Sequence, residues 1–124
     1  MNGRKIVMIE DSKAASTVLK EVLGAEGHTV LHAADGISGL ALARREKPDL
    51  ILLDLLLPKL SGYEVCNALM RDSLTRRIPV LIISTLDTPE SIEKIKTCGA
   101  RNFMKKPYNL EDLLREIKRL LPQA

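Results

Sequence analysis

The stretch Leu50-Ile51-Leu52-Leu53-Asp54-Leu55-Leu56-Leu57-Pro58 decides the reading of this chain. Its first four residues form a short, wholly apolar run, which marks a strand buried on both faces rather than one with a solvated side. An acid then falls directly on the end of that run, with three more leucines and a proline behind it. A carboxylate in so apolar a setting is costly unless it has a partner or a task.

Outward from this segment the same kind of run recurs. It appears as Ile6-Val7-Met8-Ile9, Thr29-Val30-Leu31, Val80-Leu81-Ile82-Ile83 and, more weakly, Asn102-Phe103-Met104. Amphipathic helical periods lie between and after the runs. They are carried by Ala15, Val18, Leu19, Val22 and Leu23; by Ile37, Leu40 and Ala41; by Val65, Cys66, Leu69 and Met70; by Ile92, Ile95 and Cys98; and by Leu110, Leu113, Leu114, Ile117, Leu120 and Leu121. Ser61 followed by Glu64 predicts a capping box, Thr88-Pro89 a cap with proline at the first helical position, and Asn109 a cap on the last helix. Gly24, Gly27 and Gly99 sit where helices are expected to stop.

Five strands, each followed by a helix, predict an α/β fold with a parallel sheet and right-handed crossovers. We read it as a flavodoxin-like doubly wound sheet of order 2-1-3-4-5 with five helices, although pattern alone does not select that order. The 124 residues suit one domain, expected over 1–124.

Composition narrows the class. A hydrophobic fraction of 45% with one Phe, two Tyr and no Trp demands an aliphatic core. Cys66 and Cys98 fit neither a metal spacing nor a disulfide framework, so they read as two small apolar side chains in a reducing compartment. The N-terminal MNGRKIVMIE is no signal peptide, and no apolar stretch reaches membrane-spanning length. A cytoplasmic protein without membrane association is expected. The net charge of +3 is spread along helical segments, and only weakly suggests a nucleic-acid or acidic partner.

Ligands of doubly wound sheets bind beyond the carboxyl ends of the strands, at the point where strand order reverses. Strand one ends in Glu10-Asp11, strand three in Asp54, strand four in Ser84-Thr85 and strand five in Lys105-Lys106-Pro107. In the order 2-1-3-4-5, three carboxylates, a hydroxyl and an ammonium converge on one edge. Each alone has an ordinary reading as a cap, a turn residue or a solvated amine; their coincidence at strand ends is the signal. Crowded carboxylates repel, and a hard divalent cation such as Mg²⁺ relieves this with oxygen ligands. A carboxylate beside it can act as a nucleophile toward phosphorus, while the cation and a lysine offset charge on the transferring oxygens. A hydroxyl at Ser84 can donate to a phosphoryl oxygen.

Over essentially the whole chain these motifs resemble the response-regulator receiver family, the CheY-like domains. Glu10-Asp11 looks like the family's magnesium-holding acidic pair. Asp54, within Asp54-Leu-Leu-Leu-Pro58 and followed by Gly62, looks like its phosphoacceptor. Ser84 matches the Ser/Thr after strand four, and Lys106 before Pro107 matches its Lys-Pro step, which implies a cis peptide bond. Lys105 is the rival lysine, but strand alternation points it the other way. The resemblance implies that the Leu56 backbone carbonyl completes the metal site and that Phe103 is the aromatic switch residue. Glu10 departs from the commoner Asp, Leu57 from the usual Met, and Phe103 from the frequent Tyr or His, so a hydroxyl-coupled switch is not expected.

The resemblance further implies a two-component signalling role. A sensor histidine kinase or phosphotransfer protein would phosphorylate Asp54. The surface of helix four, strand five and helix five would then shift to control a protein target or an output domain, and is also the expected face for any homodimer. That surface includes Lys94, Lys105, Arg115 and Arg119. The protein would be a phosphoacceptor switch, not an enzyme acting on a separate substrate. Three other readings remain: a pseudo-receiver that binds a partner without phosphorylation, a flavin carrier, and a nucleic-acid binder. The acidic Glu10-Asp11-Ser12-Lys13 turn opposes the flavin carrier, because a phosphate cradle needs glycines there. Scarce aromatics and the lack of a recognition-helix motif oppose the nucleic-acid binder.

Overall fold

The computed structural model describes residues 3–85 and 88–122. The elements alternate as β1 (Lys5–Ile9), α1 (Lys13–Ala25), β2 (Thr29–Ala33), α2 (Gly36–Glu46), β3 (Leu50–Leu53), α3 (Gly62–Arg71), β4 (Val80–Ser84), α4 (Pro89–Thr97), β5 (Asn102–Lys105) and α5 (Leu110–Leu120). The strands form one parallel sheet of order β2-β1-β3-β4-β5, the expected order.

Alternation along the strands divides the core in two. Val7, Ile9, Ile51, Leu53, Val80 and Ile82 face Ala43 of α2, Val65, Cys66 and Leu69 of α3, and Ile95 of α4. Ile6, Met8, Leu50, Leu52, Leu81 and Ile83 face Leu19 and Leu23 of α1 and Leu113 and Ile117 of α5. Both faces of the sheet are thereby covered, which explains why β1, β3 and β4 read as continuous apolar runs. Burying each such aliphatic side chain contributes about 1.5–3 kcal/mol, so the strands form a rigid floor for whatever stands at their ends.

The predicted caps are present. Ser61 accepts from the Glu64 amide while Glu64 accepts from the Ser61 amide. Thr88 caps α4 ahead of Pro89, and Asn109 caps α5. Gly27 and Gly99 adopt positive φ after their helices. Gly24, expected as a stop, lies inside α1, and the turn comes at Gly27 instead.

The helical stripes need a larger correction. Val18 and Ile37 are more than half exposed, Ala41 is exposed, and Ile92 and Leu110 lie on the solvent side. In α2 the buried positions are Gly36, Gly39 and Ala43. A Cβ at Gly39 would stand 2.6 Å from Ile9 Cδ1. The helix approaches β1 too closely there for a large side chain, so of the expected stripe Ile37 and Ala41 face outward while Leu40 packs against the core from the side.

Cys66 and Cys98 are free, buried and adjacent across the α3–α4 seam, the Cys66 thiol donating to the Cys98 carbonyl oxygen at 3.2 Å. The Cys98 side chain beside it, together with burial, pushes the Cys66 thiol far up.

Candidate functional site

The site begins with strand register. Ile9 lies beside Leu53, and the Asp54 amide donates to the Ile9 carbonyl at 3.0 Å. That rung brings Glu10 and Asp54 out of the sheet side by side. One strand further on, β4 pairs with β5 so that Ser84 lies beside Lys105. The Lys106 amide donates to the Ser84 carbonyl at 2.8 Å, holding the lysine just past the strand end. The Lys106–Pro107 peptide bond is cis.

Lys106 Nζ donates to Glu10 Oε1 and to Asp54 Oδ2, both at 2.9 Å. The second oxygen of each carboxylate takes a backbone amide: Glu10 Oε2 accepts from Ser12 at 3.0 Å, and Asp54 Oδ1 from Leu56 at 3.0 Å. Both acids are buried, yet each is satisfied by one ammonium and one peptide dipole, the condition for keeping a buried charge. Burial presses the Lys106 ammonium toward neutrality, but the bonds and charge of Glu10 and Asp54 outweigh it and hold its pKa above the ordinary lysine value. Burial also raises Tyr108 nearby.

Asp11 joins the two acids. Glu10, Asp11 and Asp54 each offer a carboxylate oxygen, and these atoms lie within 4.8 Å of one another. Three carboxylates against one ammonium leave two negative charges uncompensated in a small volume. Oxygen donors with that residual charge suit a hard dication such as Mg²⁺; the residues present fit the ion.

The remaining expected residues fall as follows. Leu56 is exposed beside Asp54. Ser84 is fully buried at the end of β4, and Phe103 is half-buried, abreast of Ile82 and packed on the core. Lys105 is exposed whereas Lys106 enters the site. Gly62 is where the loop after Asp54 needs it: a Cβ there would stand 2.5 Å from Leu55 Cα and closer still to the Asp54 carbonyl oxygen. Of the cations expected on the helix four face, Arg115 pairs with Asp112, Arg119 with Glu116, and Lys94 sits over the Tyr63 ring. The face is therefore less basic than the sequence count suggests.

One residue escaped the sequence reading. His32 of β2 places Nε2 at 2.6 Å from the Glu10 carbonyl oxygen. A lone histidine in a short strand carries no motif; only its register beside Met8, two residues before Glu10, hints at the site.

Comparison with known proteins bears on this geometry. The model of the response regulator receiver domain matches residues 6–118. The chain belongs to that family. The receiver is 39% identical over 119 residues to Protein PilH of Pseudomonas aeruginosa, covering 94% of this chain and 97% of that one. It spans only about half the length of other curated relatives that it matches. Among solved structures it resembles the chemotaxis protein CheY4 of Vibrio cholerae, with a TM-score of 0.89, 31% identity and coverage of 96% and 99% of the two chains. It also resembles the receiver domain of the sensor histidine kinase PA1611 of Pseudomonas aeruginosa, with a TM-score of 0.87, 29% identity and coverage of 95% and 97%. That structure carries a magnesium ion coordinated in its active-site cleft. The chain is thus a receiver domain of two-component systems with a CheY-like fold. No helix among the described residues is long and apolar enough to cross a membrane.

Proposed function

We propose that this receiver takes a phosphoryl group on Asp54 from a phosphohistidine of a sensor histidine kinase or phosphotransfer protein, in a magnesium-dependent transfer in the cytoplasm. The observation that carries the reading is the pair of hydrogen bonds from Lys106 to Glu10 and Asp54 within a cluster of three convergent carboxylates. Glu10, Asp11, Asp54 and the Leu56 backbone carbonyl would hold the ion. The chemistry supplied by bound magnesium is charge neutralisation, among the carboxylates and on the transferring phosphoryl oxygens.

The chain's own residues do the rest. Asp54 Oδ2 forms the new O–P bond as the P–N bond of the donor breaks and the leaving imidazole keeps the electron pair. The Leu56 amide on Oδ1 fixes the carboxylate's rotation, so that one oxygen is presented to the incoming phosphorus. Lys106 turns its ammonium from the carboxylates to the phosphoryl oxygens, and the Ser84 hydroxyl donates to the phosphoryl group. Phe103 fills the space that Ser84 and its loop vacate, and the surface of α4, β5 and α5 shifts to engage a protein target, an output domain or a second copy. The protein acts as a switch on which chemistry is done, without a separate substrate to turn over and without direct contact to nucleic acid.

Incubation with phosphoramidate or acetyl phosphate tests this by intact mass. One phosphoryl adduct is expected with magnesium, lost with chelator, lost in Asp54→Asn, and mapped to Asp54 after borohydride trapping. Absence of the adduct in the wild type with magnesium overturns the reading in favour of a phosphorylation-independent binding module.

A further inference from the structure

The Glu10 peptide is gripped from β2 at both ends. Its amide donates to the Ala33 carbonyl at 3.0 Å, and its own carbonyl oxygen meets His32 Nε2 at 2.6 Å. A carbonyl only accepts, so Nε2 carries the proton. In a regular parallel ladder the next rung to the Glu10 carbonyl would come from the amide two residues beyond Ala33. That residue is Asp35, which instead caps α2. The strand has turned away, and the imidazole supplies the rung that the backbone omits.

What this rung holds is the plane of the Glu10–Asp11 peptide. That plane sets where the Asp11 chain leaves β1, and it carries the chain into Ser12, whose amide orients Glu10 Oε2. Two of the three convergent acids therefore depend on one carbonyl being kept in place. The His32 ring lines an open groove together with Asp11 and the first turns of α1.

We infer that His32 is a positioning residue of the acidic site: its Nε2–H holds the Glu10–Asp11 peptide so that the acid pair is preorganised for a divalent cation. This rests on the reading of the acid cluster as a cation site. Outer-shell hydrogen bonds of this kind typically change metal affinity by 10–100-fold. The bond from a side chain to one carbonyl, whose carbon stands four covalent bonds from either carboxyl carbon, belongs at the lower end.

Four proteins test it. His32→Gln puts an amide nitrogen the same number of bonds from Cα as Nε2, so it can restore the bond. His32→Asn is one bond too short, and His32→Leu fills the space without a donor. Magnesium affinity of the full chain is measured by calorimetry, hydrogen exchange of the Glu10 amide by NMR without metal, and global stability by urea unfolding. We expect about a tenfold weaker affinity in His32→Leu and His32→Asn, faster Glu10 exchange in both, and recovery of both properties in His32→Gln. Equal affinity in all four proteins, or losses that track urea stability instead of the donor, overturns the inference. If the wild type itself binds no magnesium, the cation reading falls. The metal-free exchange then still decides: unchanged Glu10 protection in His32→Leu removes the positioning role.

Discussion

Replacing Lys106 by methionine keeps most of the side-chain stem and removes the ammonium that bridges Glu10 and Asp54. Each lost bond to a charged group is worth about 1.5–3 kcal/mol where the partner stays buried, and both partners are buried here. The lysine side chain is itself 23% exposed, so water enters beside the variant and recovers part of the loss. We expect a net destabilisation of about 2–3 kcal/mol in metal-free protein at neutral pH, below the 3–5 kcal/mol of a fully buried broken pair. The pH course follows from the direction of the lysine shift. Its folded pKa is raised by Glu10 and Asp54. A group raised on folding contributes its full stability below its unfolded value, about 10.4, and loses it as pH rises through the folded one. The gap between wild type and Lys106→Met is therefore flat through neutral pH and narrows only in strong alkali. Magnesium supplies the missing charge, so at saturation it raises the melting temperature of the variant more than that of the wild type, while phosphoryl uptake at Asp54 falls. Urea unfolding across pH, with and without magnesium, reads all of this. A metal-free gap below about 0.5 kcal/mol, the range of an ordinary surface substitution, would refute the reasoning, as would a gap indifferent to magnesium.

Two further perturbations probe the support of the site. Gly62→Ala forces a Cβ against the backbone of Asp54 and Leu55. It should cost about 1–3 kcal/mol as overpacking does, and should slow phosphoryl labelling, because the loop that must yield carries the proposed acceptor; wild-type stability and labelling would count against it. Cys66, buried and with its thiol pushed up, is held as the unreactive thiol form. It should resist an aromatic disulfide reagent in the native protein and react at once in urea, and rapid native labelling mapped to Cys66 would show the α3–α4 seam to be open.

Much of the fold was legible because burial on both faces writes itself as unbroken apolar runs. The runs Ile6–Ile9, Leu50–Leu53 and Val80–Ile83 each lie within a strand, and Ser61, Thr88 and Asn109 each cap a helix. The helical faces were less legible. A stripe of large aliphatics implies a wide gap to fill, but α2 lies so close on β1 that glycine and alanine face inward; an inter-element distance has no signature in one helix's pattern. At the site, the acids, Ser84 and Lys106 stood out because they interrupt or end apolar runs. His32 did not, because its contribution is a hydrogen bond to a backbone carbonyl, and a carbonyl has no residue type.

The bond from the Lys106 amide to the Ser84 carbonyl bears on how a charge placed at Asp54 reaches a distant surface. Lysine and serine are joined by backbone, so on the proposed chemistry a phosphoryl group that draws both side chains acts on one rung rather than on two independent loops. That rung lies between strands of unequal rigidity. β4 is buried along its whole length, whereas β5 is an edge strand whose residues are half-buried or exposed. Strain shared across such a junction is relieved on the softer side, since local opening is easiest where few apolar contacts resist it. On that chemistry displacement would be directed into β5, where Phe103 packs against the core from the edge. On that core face its neighbour α4, whose nine residues bury only Ser91 and Ile95, is tied back to α3 by the Tyr63 hydroxyl bond to Ser91. On the proposed chemistry the same asymmetry would keep β1 and β3 still, so that the acids would retain their geometry while the side of α4, β5 and α5 shifts.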